Sequence, residues 1–208
     1  MKNNQKILHL AQFSILLAIE AIVCFTPLGS LPVGPLVATL AHIPVLITAV
    51  CMGTAAGSLM GFFCGLFSFI WWTLNPGVMG FVFTPFYAPG NFWSLVICFV
   101  PRILIGTLAG LVFSAFRKVA EKNPVADVAR YVVAGIVGTL ANTVLVLGGI
   151  YLFFGKPYAE ANGVAFEALL GILCTVVLTN GILEVILGAL CTLAVGKAVN
   201  RLANRRAG

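Results

Sequence analysis

The sequence predicts an all-α integral membrane protein: six transmembrane helices in a compact bundle, both termini cytoplasmic. Three observations carry this. Of the 208 residues, 61% are hydrophobic and only 9% are charged, with a mean hydropathy of +1.08. A soluble domain carries roughly 25% charged residues to face water. The apolar residues form long runs of about 20, the length that crosses a hydrocarbon core roughly 30 Å thick. The basic residues gather in short stretches flanking those runs, the pattern that orients a membrane protein. The same composition excludes disorder, which needs low hydrophobicity and high charge. It also excludes a membrane β-barrel, whose strands alternate polar and apolar residues.

Six spans are expected, together making one membrane domain over residues 1–208. The first, about 7–25, ends at Pro27. Lys2 and Lys6 resemble the basic start of a signal peptide, but the run is long and interrupted by Glu20. With no small-residue cleavage site after it, the segment is expected to stay as a helix. The second span, about 36–52, is short and contains His42 and Pro44. The third, about 53–72, follows with almost no loop and carries Gly53, Gly57, Gly61 and Gly65 at four-residue spacing. Glycine at that spacing leaves a groove that another backbone can approach, within the bundle or on a partner. Gly106 and Gly110 repeat it on the fourth span, about 92–116. The fifth is about 131–154. The sixth lies within 164–199, too long for one straight crossing at 1.5 Å per residue, so it projects or breaks near Gly171 or Gly181.

An even number of spans puts both termini on one side. The amino terminus, the Arg117–Arg130 connection and the carboxy terminus hold ten of the twelve Lys and Arg residues. Basic residues mark the cytoplasmic face, so that side is expected to be cytoplasmic.

Several chemistries have no sequence signature. There is no GxxxxGK[ST] phosphate loop, no HExxH and no GxSxG. Among six carboxylates only Glu20 and Glu184 fall within spans, so nothing supports an enzyme. The six cysteines form no CxxC pair and all lie in apolar runs, where thiols usually act as small hydrophobes. No metal or cofactor is expected.

Ionisable and amide groups at membrane depth are expensive and default to functional candidates. Arg102 lies eleven residues beyond Asn91, about 16 Å along a helix and near the midplane. There it needs a buried anion: Glu184, Glu20, or the carboxylate of a ligand, which its planar fork fits. Asn142 sits at similar depth on the fifth span. Asn180 and Glu184 share a face of the sixth at i, i+4. With His42 and Glu20 they suggest one wet cavity, although each alone also reads as hydrogen-bonding glue between helices.

The outer loops are uncharged. Residues 26–35 read TPLGSLPVGP; residues 74–91 read LNPGVMGFVFTPFYAPGN and hold Phe81, Phe83, Phe86 and Tyr87. These aromatics suit either an interfacial belt or an apolar lid over a small-molecule site. Phe83, Phe86 and Tyr87 are therefore candidate ligand contacts.

The stretch Ala41-His42-Ile43-Pro44-Val45 through Met52-Gly53-Thr54-Ala55-Ala56-Gly57 to Gly61–Gly65, and the stretch Val100-Pro101-Arg102-Ile103-Leu104-Ile105-Gly106 with Ala109-Gly110, resemble the substrate-binding (S) subunits of energy-coupling factor transporters. The resemblance implies a subunit that captures a vitamin beneath its first and third outer loops. It further implies partnership with a membrane coupling subunit and two cytoplasmic ATPases, in keeping with the missing phosphate loop. The family's first helix carries an AxxxA partner contact. Here Ser14-xxx-Ala18, with Ala11 nearby, is the best match, Ser14 departing from the pattern.

The two stretches look most like the pantothenate, folate and riboflavin branch. Arg102 favours a carboxylate ligand, so pantothenate is expected first and folate second. The competing readings are an autonomous secondary transporter or channel coupled through Arg102, Glu20 and Glu184, and a membrane enzyme or purely structural subunit.

Overall fold

A computed structural model describes residues 2–33, 36–75 and 77–207. The first helix, α1, spans Lys2–Phe25. A 3-10 turn, Pro27–Gly29, then leads into an antiparallel hairpin of β1 (Ser30–Val33) and β2 (Leu36–Thr39), with Ser30 opposite Thr39. Gly34 and Pro35 of the first outer loop lie outside the described residues.

The hairpin corrects the second expected span. Its first residues, 36–39, are strand, and helix α2 runs only over Ile43–Met52. Leu36-Val37-Ala38-Thr39 is apolar enough for a helix, with β-branched Val37 and Thr39 alone favouring a strand, and Pro44 fixes the first turn of α2. At 1.5 Å per residue, α2 is about 15 Å long, half a bilayer. It is nonetheless central: Pro44 through Val50 are all buried. Val45, Leu46, Ala49 and Val50 form the main core cluster with Met60, Ile105, Ala109 and Tyr131.

Gly53 closes α2 and opens α3 (Thr54–Leu74) with φ 92°. That backbone is open to glycine and strained for other residues, so Gly53 belongs to a corner, not to the small-residue ladder. The other three glycines do form the ladder, and its partner is α4 (Phe92–Ala115). A Cβ on Gly61 would fall on the carbonyl of Arg102, one on Gly57 would meet Gly106 O, and one on Gly65 would meet Cys98 O. The contact is intramolecular. Asn91 caps α4 by accepting from Trp93 N at 2.9 Å.

A four-residue helix, α5 (Arg117–Ala120), precedes α6, which runs Pro124–Ala161 with a kink at Phe154 (φ −130°, ψ 16°). The last helical run begins with α7 (Phe166–Val176) and continues as α8 (Ile182–Cys191) and α9 (Lys197–Ala207). Two π-helical turns, Val177–Gly181 and Thr192–Gly196, join them. The expected break near Gly181 is thus a widening of the helix; no interruption occurs at Gly171.

Among the described residues, five helical segments are long and apolar enough to cross a membrane: Lys6–Phe25, Thr54–Leu74, Phe92–Ala115, Pro124–Ala161 and Phe166–Leu202. α3, α4 and α6 pack side by side around α2, and α8 closes against α6. α1 touches α2 and α3 and leaves Ile7, Leu10, Ile15 and Ile22 exposed. At one end of the bundle Asp127 pairs with Arg130 and, at 3.0 Å, with Lys197. Asn200 Nδ2 donates to Tyr131 Oη at 3.0 Å, tying α9 to α6.

Candidate functional site

The hairpin, α1, α2, α3, α4 and α6 converge on a cavity of about 470 Å³, within the roughly 300–1,000 Å³ usual for small-molecule sites. Its wall is largely apolar and aromatic, including Trp71, Trp72 and Phe83, with Arg102, His42, Asn142, Ser68 and Thr39 as polar points. Among the described lining residues Arg102 is the only Lys, Arg, Asp or Glu.

The helix dictates how Arg102 is held. Pro101 has no N–H, so the carbonyl four residues earlier, Ile97 O, loses its helical donor. Arg102 Nη1 donates to that carbonyl at 2.9 Å, and its guanidinium lies over the Phe83 ring, 5.1 Å from the centroid. Phe83 is in turn stacked on Trp72 at 5.4 Å. Among the described residues no carboxylate lies within ion-pair distance of Arg102. Neither Glu184 nor Glu20 supplies the buried anion it calls for.

His42 stands at the start of α2, buried, and among the described residues neither ring nitrogen has a hydrogen-bond partner. Asn142 Oδ1 is likewise buried without a partner, as is Thr139 Oγ1 one turn earlier on α6. Such atoms cost about 1–3 kcal/mol each if left unsatisfied. His42 and Asn142 place such atoms on the cavity wall, where a ligand with hydroxyl or amide groups can satisfy them.

Of the sequence candidates, Arg102, His42, Asn142 and Phe83 line this one cavity. The other four candidates stand apart from the lining. Glu184 is buried and accepts from Thr39 N at 2.9 Å, anchoring the hairpin to α8. Asn180 is half-buried on the first π turn. Tyr87 is committed to Thr73 O at 2.5 Å. Phe86 is 67% exposed and packs on Phe69. The aromatic loop is thus divided: Phe81 is core, Phe83 lines the cavity and Phe86 faces outward. On α1, Ala11, Ser14 and Ala18 all lie on the exposed face.

Sequence reasoning missed Ser68, Thr39, Cys24 and Cys64 as wall residues. Nothing local marks them, because hairpin and helix rotation bring them in. It also missed that Cys24, Cys64 and Glu20 meet, although the i, i+4 spacing of Glu20 and Cys24 was visible.

A largely apolar cavity with, among the described residues, one unpaired cation, inside a bundle of apolar helices, fits a membrane protein that binds a small solute. Residues 8–196 match the family model "ECF transporter, substrate-specific component". The chain is 35% identical over 178 residues, 83% of its length and 81% of the relative's, to the pantothenic acid transporter PanT of Lactococcus lactis subsp. cremoris. It is 28% identical over 212 residues, covering 98% of this chain and 97% of the relative, to the pantothenate transporter PanT of Leuconostoc mesenteroides subsp. mesenteroides. Among solved structures, it shares a fold with the S-component for biotin from an ECF-type ABC transporter. The TM-score is 0.52 at 14% identity, over 98% of this chain and 95% of that one. The chain belongs to the substrate-specific component family of ECF transporters. It is a multi-pass membrane protein and a substrate-binding transport subunit rather than an enzyme.

Proposed function

We propose that this chain is the pantothenate-binding subunit of an ATP-driven importer. Arg102 carries the reading: a cavity cation without a protein carboxylate matches a ligand with one carboxylate. Pantothenate also offers two hydroxyls and an amide, groups that suit His42 and Asn142, and two curated relatives are named for its transport. Asn180, Glu184, Phe86 and Tyr87 act around the site, as hairpin and loop supports, rather than on the ligand.

In this reading the domain crosses the membrane six times, the hairpin and α2 together serving as the second crossing. Both termini, the basic helix α5, the start of α6 with Arg130 and the basic helix α9 lie in the cytoplasm. The ligand enters from outside, under the hairpin and the 74–91 loop. The exposed Ala11, Ser14 and Ala18 face receives a membrane coupling subunit, which brings two cytoplasmic ATPases.

Thermal melting of the purified chain in detergent against pantothenate, folate, riboflavin and biotin tests this. A ligand at a hundred times its Kd stabilises by about 2.7 kcal/mol. A shift with pantothenate alone supports the proposal, and a shift with another vitamin reassigns the cargo. No shift with any of them, together with solute uptake into liposomes lacking ATPases, replaces it with a secondary transporter.

A further inference from the structure

We propose that Glu20, Cys24 and Cys64 form a site for a thiophilic divalent cation in the wall of the cavity. Glu20 and Cys24 stand one turn apart on α1, and Cys64 reaches them from α3. One ligand atom from each lies within 4.8 Å of the other two. Glu20 is fully buried. Among the described residues its Oε1 receives the weak Sγ donor of Cys24 at 3.2 Å, and its Oε2 has no partner. Cys64 Sγ donates to the carbonyl of Ala41, 3.6 Å away.

Buried carboxylates are paired, protonated or metal-bound, because an isolated one costs several kcal/mol or more. Here the neighbours are two thiols, good metal ligands and poor hydrogen-bond donors. Sulfur donors select zinc-class ions over magnesium or calcium. Three protein ligands leave a fourth tetrahedral position, and it faces the cavity because Cys24 and Cys64 both line the wall. An ion entering from the cavity would thus meet Cys24 and Cys64 first, with the buried Glu20 carboxylate beside them.

Binding forms two metal–sulfur bonds and one metal–oxygen bond. The two thiol protons, and the carboxyl proton where present, pass to solvent; no electrons move. Two thiolates, one carboxylate and a dication sum to −1. Occupancy would fasten α1 to α3 beside the ligand space. The proposal does not depend on which vitamin binds.

The experiment uses the full chain in detergent with Cd²⁺ as probe, in a Cys174→Ala background because Cys174 is exposed. Expected are one equivalent of Cd²⁺ per chain with a thiolate-to-metal absorption band, competition by Zn²⁺, and affinity that rises with pH as protons are displaced. The band should vanish in Cys24→Ala and Cys64→Ala and persist in Cys51→Ala and Cys191→Ala. Cys64→Ser decides if the alanine variants do not fold. Groups that merely hydrogen-bond a metal ligand are worth roughly 10–100-fold in affinity, so Glu20→Gln should weaken Cd²⁺ by more than about tenfold. No band, a band that survives loss of Cys24 and Cys64, or unchanged affinity in Glu20→Gln overturns the site and returns these residues to inert packing.

Discussion

Replacing Arg102 with alanine removes two things at once, and the structure separates them. One is the cation facing the ligand. Truncating one partner of a buried, hydrogen-bonded charge pair costs about 2–5 kcal/mol, or roughly 30-fold to several-thousand-fold in Kd at 1.4 kcal/mol per decade. The other is the hydrogen bond to Ile97 O, the carbonyl deprived of a donor by Pro101. Leaving that buried acceptor unpaired costs about 1–3 kcal/mol of stability. Isothermal titration with pantothenate and with panthenol, which has an alcohol in place of the carboxylate, isolates the first effect. Wild type should prefer pantothenate strongly, and Arg102→Ala should lose most of that preference. Melting without ligand isolates the second. Pro101→Ala combined with Arg102→Ala returns a backbone donor to Ile97 O, so it should recover stability but not pantothenate affinity. If Arg102→Ala weakens both ligands by the same factor, the guanidinium is a helix fastener and not a carboxylate receptor. If neither affinity changes, Arg102 is outside the site.

Three further outcomes are expected. Gly61→Ala should lower stability by about 1–3 kcal/mol or more, since its Cβ meets backbone that cannot rotate away. Gly171→Ala, with open space around it, should be neutral or gain up to about 1 kcal/mol from helix propensity; melting of both variants checks the pair. Ala18→Trp, on the exposed face of α1, should leave pantothenate affinity intact while abolishing uptake by the assembled transporter in cells. Wild-type uptake there would move the partner surface elsewhere. Phe83→Ala, which strips the ring from Arg102 and Trp72, should speed ligand dissociation, whereas Phe86→Ala should not. Stopped-flow release of ligand distinguishes them, and equal rates for Phe83→Ala and wild type would take the loop off the ligand.

Hydropathy is a local quantity, so the sequence by itself determined the membrane class, the positions of the long apolar helices and the glycine contact surface of α3, although the span expected at 131–154 belongs to a longer helix, Pro124–Ala161. Arg102 was legible for a similar reason. Its depth follows from counting along one helix, and Pro101 beside it announces an unpaired carbonyl. Residues 36–42 were not legible, because a short apolar run without charge serves strand and helix equally. Only the hydrogen bonds of the hairpin, with Glu184 holding Thr39, decided for strand. Tertiary structure also decided which polar groups share a wall. Helix rotation is set by where small residues let neighbours close in. The 74–91 loop spends Tyr87 on Thr73 O; helix rotation turned Asn142 inward. It also brought Cys64 to Glu20 and Cys24 across a gap of forty residues, a meeting no spacing in the sequence could specify.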